Sequence, residues 1–149
     1  MTKNKALIYF FVLLASIIGL DCKSTQNSTS QRAMYKSIYI DQFKLTYFRQ
    51  MLIKGYNNSK AVQEIIKLDH SGFSEPVLTM DDYKLIDSLT IVENQKMQLD
   101  SASNIGRVAE GAEGKHLLGF ILDKINSKWL DSLATKRYKS SGVKQMYSE

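Results

Sequence analysis

The chain has 149 residues, of which 44% are hydrophobic and 23% are charged, and these values are typical of one globular domain. Its formal charge of +5 is modest and its lysines are scattered, whereas a nucleic-acid-binding protein would need a concentrated basic face with interleaved aromatic residues. We therefore expect no nucleic-acid partner. One proline and few glycines favour long helices, so the sequence predicts an all-α fold, a small four-helix bundle-like domain.

The first 21 residues have the pattern of an export signal. Lys3 and Lys5 form a positive start, and the uncharged apolar run 6–20 follows them. This run is shorter than the about 20 residues that a transmembrane helix needs. We therefore predict a cleaved signal peptide over residues 1–21.

The sequence's only cysteine, Cys22, lies at the end of this run, after Asp21. Its place resembles the acylated cysteine of bacterial lipoproteins, although Asp21 stands where that pattern has a small residue. We predict lipid attachment at Cys22; the alternative is cleavage near Gly19, which would release a soluble exported protein. Both routes lead out of the cytoplasm, and we expect the periplasm. Residues 22–32 are polar and are predicted to form a flexible tether.

The helical domain is predicted to span residues 33–139. Its first helix should run from about Tyr35 to Tyr56, because apolar residues cover more than half of its circumference. Gly55 is part of the stop signal. Ser59 can cap a short second helix. The apolar residues of the second helix are expected to face inward: Ala61, Val62, Ile65, Ile66 and Leu68.

The third helix is expected to begin after the crossover that contains Pro76. Thr79 and Asp82 resemble a capping pair, and the helix should end near Gln98. The pair Ile91-Val92 could equally form a short strand, which leaves this part of the element open.

The fourth helix is predicted over residues 114–138. Its apolar residues recur at three- and four-residue steps, and Trp129, the only tryptophan, lies among them as an expected core anchor. Residues 140–149 are predicted to be a frayed tail.

The segment 100–114 is the one long connection in the predicted bundle. It is rich in serine, alanine, glycine and asparagine, and connections of this length in compact domains are mostly functional or disordered. Ile105 and Val108 flank Arg107, whose guanidinium can fork onto a carboxylate. From the residues alone, a loop whose tip binds a partner and a flexible connector without a binding role remain equal alternatives.

No pattern of catalytic residues emerges. Asp69, His70 and Ser71 are the residue types of a hydrolytic triad, but contiguous neighbours cannot form that geometry, so we interpret them as a polar helix terminus. The sequence has no HExxH, no cysteine pair and no phosphate-binding loop. We predict a protein that is not an enzyme and that has no cofactor and no metal site. A hydrolase built on two distant carboxylates is the alternative.

The run 119–131 in the last predicted helix resembles the family of type VI secretion amidase immunity proteins. The similarity, which includes the order of the elements, covers about residues 42–138. Family members carry a cysteine in the first helix and one in the last, where this chain has Met51 and Ile121. The comparison implies that packing alone joins these helices here, without about 2–4 kcal/mol from a disulfide. The run agrees with the family at Leu122, Asp123, Ser127, Lys128, Leu130 and Asp131.

The resemblance implies a small exported helical protein that acts as a homodimer. It would neutralise a peptidoglycan-cleaving amidase by pushing the loop before the last helix into the catalytic cleft, as the immunity protein of a toxin–antitoxin pair in the periplasm. In this chain that loop is 100–114. The alternative is a structural or envelope-assembly lipoprotein without a toxin partner. The implied contact residues are Ser103, Asn104, Ile105, Gly106, Arg107 and Val108.

Overall fold

The computed structural model describes the backbone of residues 22–103 and 116–142. These residues form helices and no strand, so the all-α prediction is confirmed. None of the described helices is both long enough and apolar enough to span a membrane. The helices are α1 (Cys22–Gly55), α2 (Lys60–Leu68), α3 (Met80–Ser103), α4 (Leu117–Ile125) and α5 (Lys128–Ser140).

The long helix α1 is the centre of the bundle, because each of the other four helices packs against it. A tight turn follows Gly55, and α2 then runs back along α1. Asp69, which follows the end of α2, pairs with Arg49 of α1 at 2.8 Å, and this ion pair holds α2 alongside α1.

The third helix, α3, runs in the same direction as α1. Its first turn lies beside Tyr39, whose phenol neighbours Asp82. Further along, Asp87 pairs with Lys54 at 2.6 Å.

The helices α4 and α5 together return along α1. Leu117 at the start of α4 lies against Gly55. Tyr138 near the end of α5 lies against Tyr39, with 5.4 Å between the ring centroids. The chain thus runs up, down, up and down, and the fourth arm of the predicted bundle consists of two helices.

The core follows one face of α1. Tyr39, Phe43, Tyr47 and Met51 recur every four residues and are completely buried. Ile121, the second of the positions at which the resembling family has cysteine, is buried in the same cluster as Met51. The other members of the cluster come from the connector and from α3, α4 and α5: Leu78, Ile86, Met97, Leu117, Leu130, Ala134 and Tyr138.

The first helix is longer than the sequence predicts. It begins at Cys22 and not near Tyr35, so residues 22–32, expected to form a flexible tether, are helical in the structure. The reason is local: no proline or glycine occurs between Cys22 and Lys54 to interrupt the helix. The side chains from Thr29 to Met34 are exposed.

The third helix is also longer than predicted. It continues to Ser103 without interruption, so Ile91 and Val92 are helical and the strand alternative is wrong. The first residues of the expected loop, 100–103, belong to this helix.

The predicted fourth helix is broken at Asn126 and Ser127. Ser127 adopts an extended backbone and caps α5, because its hydroxyl accepts a hydrogen bond from the Leu130 amide at 3.3 Å. The break changes which residues face the core. Leu130 is buried, whereas Trp129, the expected core anchor, is 44% exposed.

The inward orientation expected for the apolar residues of α2 is wrong for Ala61, Ile65 and Leu68. Ile65 is 66% exposed and Leu68 is 76% exposed. Only Val62 and Ile66 are partly buried. The reason is geometric: α2 packs mainly on α1, and a single neighbour covers only one side of a helix.

Candidate functional site

The predicted contact tip lies almost entirely outside the described residues. Ser103 is the last residue of α3, and residues 104–108 fall in the range that the structure does not describe. The predicted lipid-attachment residue, Cys22, is the first residue of α1, and its side chain is likewise outside the described part. Both predictions therefore remain predictions.

The fold nevertheless defines where the segment that contains the predicted contact tip begins and ends. It leaves α3 at Ser103 and enters α4 at Leu117, which lies against Gly55 at the C-terminal end of α1. The chain enters α1 at Cys22, at the opposite end of this helix. With 34 residues, α1 is about 50 Å long.

Large apolar side chains are exposed on both helices that flank the segment 104–115. Leu99 precedes it on α3, and Leu118 and Leu122 follow it on α4; each is more than half exposed. Isolated exposed leucines are common, but several at one end of a small domain suggest a surface for a protein partner.

Lys124 holds α4 against α3. Its Nζ lies 2.8 Å from Oε2 of Glu93, a buried residue of α3. The same ammonium lies 5.2 Å from the ring centroid of Phe120 and 5.3 Å from that of Trp129.

Glu93 also acts on Tyr47 of α1. Burial of the Tyr47 phenol, and then the negative charge of Glu93, raise the pKa of Tyr47.

The start of α3 contains the predicted capping pair and joins it to α5. The Thr79 amide and hydroxyl donate to Oδ2 of Asp82 at 2.9 and 2.8 Å. Nε of Arg137 donates to Oδ1 of Asp82 at 2.9 Å, and Nη2 lies 2.8 Å from the same oxygen as an ion pair. Burial opposes ionisation of this carboxyl, but the hydrogen bonds from Thr79 and Arg137 and the neighbouring Tyr39 phenol outweigh it and lower the pKa of Asp82.

The residues with triad-like chemistry form a turn at the end of α2. Asp69 accepts hydrogen bonds from the hydroxyl and the backbone amide of Ser71 and pairs with Arg49. The Ser71 hydroxyl and then Arg49 lower the pKa of Asp69 to about 2. His70 is exposed between them. The three side chains thus do not converge in a catalytic arrangement, in agreement with the interpretation as a helix terminus.

A groove lies along α1 on the side of α2, and we call it the α1–α2 groove. One part of it, which reaches down to the connector after α2 and to the start of α3, has a cavity volume of about 400 Å³. The adjoining part along α2 has a volume of about 660 Å³. Gln50, Ile53 and Ile66 line both parts, so the groove is continuous.

The sequence did not indicate this groove. It depends on α2 and α3 lying apart on the surface of α1, and no local pattern reports the distance between two helices. The one available signal was the recurrence of Gln42, Thr46 and Gln50 every four residues, which places these polar side chains on one face of an otherwise apolar helix.

No group of three or more histidine, cysteine or acidic side chains that could hold a metal ion occurs among the described residues. Comparison with protein-family models, with curated proteins and with solved structures finds no match for this chain.

Proposed function

We propose that this protein is an exported immunity protein that binds a peptidoglycan amidase effector of a type VI secretion system and occludes its active site. The observation that supports a binding role is the exposure of Leu99, Leu118 and Leu122 on the two helices that flank the segment 104–115. The nature of the partner comes from the resemblance of the run 119–131 to the amidase immunity family.

Occlusion requires no chemistry from the inhibitor. A segment that enters a catalytic cleft excludes substrate by its volume, and a few hydrogen bonds then fix its position. In the proposed complex Ile105 and Val108 provide apolar contact and Arg107 pairs with a carboxylate of the enzyme. Ser103, Asn104 and Gly106 complete the contact segment.

The direction of α1 agrees with this function. A lipid anchor at Cys22 would place the start of α1 at the membrane, and the segment 104–115 leaves the bundle at the other end of this helix. The proposed contact segment would then be presented to the periplasm, where a cell-wall amidase acts. We also propose that the protein acts as a homodimer.

The test is protection of cells that produce a peptidoglycan amidase, which the proposal expects to be encoded beside this gene. Loss of protection is expected for the combined change Ile105→Asp and Arg107→Glu, with the helical circular-dichroism signal retained. The matched control, Ile65→Asp with Lys84→Glu, changes the same charges on exposed side chains of α2 and α3 and should protect fully. Full protection by the loop variant would contradict occlusion by this segment.

The second candidate is a structural envelope lipoprotein without a toxin partner. The predicted lipid attachment at Cys22 favours it as much as it favours an immunity protein. Deletion of the gene beside an intact, active amidase separates the two: self-intoxication supports the immunity function, and normal growth supports the structural one.

A further inference from the structure

The short helix α4 is held in the bundle by few side chains. It has nine residues, of which only Leu117 and Ile121 are buried. Helices shorter than about 12–15 residues are marginal on their own in water, so α4 depends on its packing for its helical form. Its outward residues Leu118 and Leu122 are more than half exposed and contribute little to this packing.

The two ends of α4 add little to its attachment. At the N-terminal end the His116 side chain makes no capping hydrogen bond, and the first turn contains no acidic residue. At the C-terminal end the helix stops at Asn126, and Ser127 has an extended backbone. The Ser127 hydroxyl donates to the Lys124 carbonyl at 2.6 Å and accepts from the Leu130 amide at 3.3 Å. The second of these bonds lies within α5, so this helix keeps its cap when α4 moves.

One charged side chain of α4, Lys124, joins this helix to its neighbours. Its Nζ lies 2.8 Å from Oε2 of Glu93 on α3 and 5.3 Å from the ring centroid of Trp129 on α5. The Glu93 side chain is only 10% exposed, so its charge needs a cation nearby. Lys96 of α3 is a second one, because its Nζ lies 3.9 Å from Oε1 of Glu93. The departure of Lys124 therefore does not leave the buried carboxylate without a cation.

The next helix, α5, is held more firmly. Asp131 pairs with Lys44 of α1 at 2.8 Å, and Arg137 pairs with Asp82 of α3 at 2.8 Å. Because regions with fewer buried contacts open at a lower free energy, α4 can separate from the bundle while α5 stays in place. Three side chains of α5 are buried: Leu130, Ala134 and Tyr138.

We propose that α4 is a latched segment that opens and closes on the folded bundle, with the Glu93–Lys124 pair as its latch and the break at Asn126 and Ser127 as its hinge. Opening uncovers the two buried side chains of α4 in addition to its two exposed leucines. A partner protein then meets an apolar segment that the closed form half covers. The proposal concerns the described helices only and does not depend on the partner proposed above.

Native-state hydrogen exchange, followed by nuclear magnetic resonance under conditions in which it reports the opening equilibrium, tests this proposal. In the wild-type protein the amides 121–125 of α4 should be at least about tenfold less protected than the amides 134–138 of α5. Low concentrations of urea should accelerate exchange in α5 much more than in α4, because a local opening exposes little surface. This comparison requires no substitution.

Two lysine variants then separate the latch from the rest of the fold. Lys124→Met removes the ion pair with Glu93, which the open form lacks, and should lower the protection of the α4 amides about fivefold. The matched control, Lys44→Met, removes the ion pair with Asp131, which the open and closed forms share. It should lower the protection of the α5 amides about two- to fourfold and leave that of the α4 amides unchanged.

Three results would overturn the proposal: equal protection of α4 and α5 in the wild type, unchanged protection of α4 in Lys124→Met, or a loss of protection in Lys44→Met that is as large in α4 as in α5. The last result would show that α4 opens only when the whole bundle unfolds. The melting temperature of each variant checks that it is folded.

Discussion

The Asp82 carboxylate joins the start of α3 to the last helix. One oxygen completes the capping box with Thr79, and the other accepts a hydrogen bond from Nε of Arg137 and forms an ion pair with Nη2. Asp82 is completely buried, whereas the Arg137 side chain is partly exposed. Such a pair is costly to break from one side, since the remaining charge stays in the interior without its partner.

Arg137→Ala is therefore expected to lower the free energy of unfolding by about 2–3 kcal/mol. Urea denaturation followed by circular dichroism measures this change. Lys136→Ala removes the exposed cation next to it in α5 and should change the free energy of unfolding by less than about 0.5 kcal/mol. Equal effects of the two variants would show that the Asp82–Arg137 pair does not stabilise the fold.

The pKa of Asp82 predicts how stability depends on acid. Because folding lowers this pKa, the stabilisation is complete above the unfolded value of about 4 and is lost as the pH falls through the native value. Asp82→Asn cannot ionise and should reduce the slope of unfolding free energy between about pH 5 and pH 3. Part of the slope should persist, since Asp69 also has a lowered pKa. Parallel curves for the two proteins would contradict this assignment.

At the scale of one element, the approach of α4 to α1 depends on a glycine. A Cβ atom at Gly55 would lie 2.5 Å from both terminal methyl carbons of Leu117, a buried residue at the start of α4. The sequence identified Gly55 only as a stop signal, because nothing local indicates that another helix lies against it.

Gly55→Ala should destabilise the fold by about 1–3 kcal/mol, because the buried Leu117 must move to make room. Gly119→Ala is the matched control: nothing lies within 4 Å of its added Cβ, and it lies inside α4. This change should stabilise the protein by about 0.5–1 kcal/mol through helix propensity. The melting temperatures distinguish the expected destabilisation by Gly55→Ala from the expected stabilisation by Gly119→Ala. An unchanged melting temperature for Gly55→Ala would contradict the close contact between Gly55 and Leu117.

The helix α2 marks where sequence patterning stops being sufficient. Its apolar residues identify an amphipathic helix, and Ser59 stands at its N-cap position, but the Ser59 hydroxyl does not form the predicted capping hydrogen bond. The pattern cannot say how many neighbours cover the helix, and here only Val62 and Ile66 are partly buried while Ile65 and Leu68 are exposed. The capping pair of Thr79 and Asp82 was predictable because its partners lie three residues apart.

For the whole molecule, periodicity and the shortage of proline and glycine were sufficient to predict an all-α bundle. The break at Ser127 was not expected, because serine is common within helices as well as at their starts. The candidate contact segment was identified by its composition and its position, and its residues 104–108 lie outside the described part of the chain.

The most direct measurement of the proposed function is turnover of purified peptidoglycan by the amidase that the proposal expects to be encoded beside this gene, titrated with this protein. Occlusion predicts that turnover falls linearly and stops at one protomer per enzyme. It also predicts that the variant Ile105→Asp with Arg107→Glu leaves turnover unchanged at the same concentrations. Undiminished turnover in excess of the wild-type protein would contradict the proposal that this chain is an amidase immunity protein.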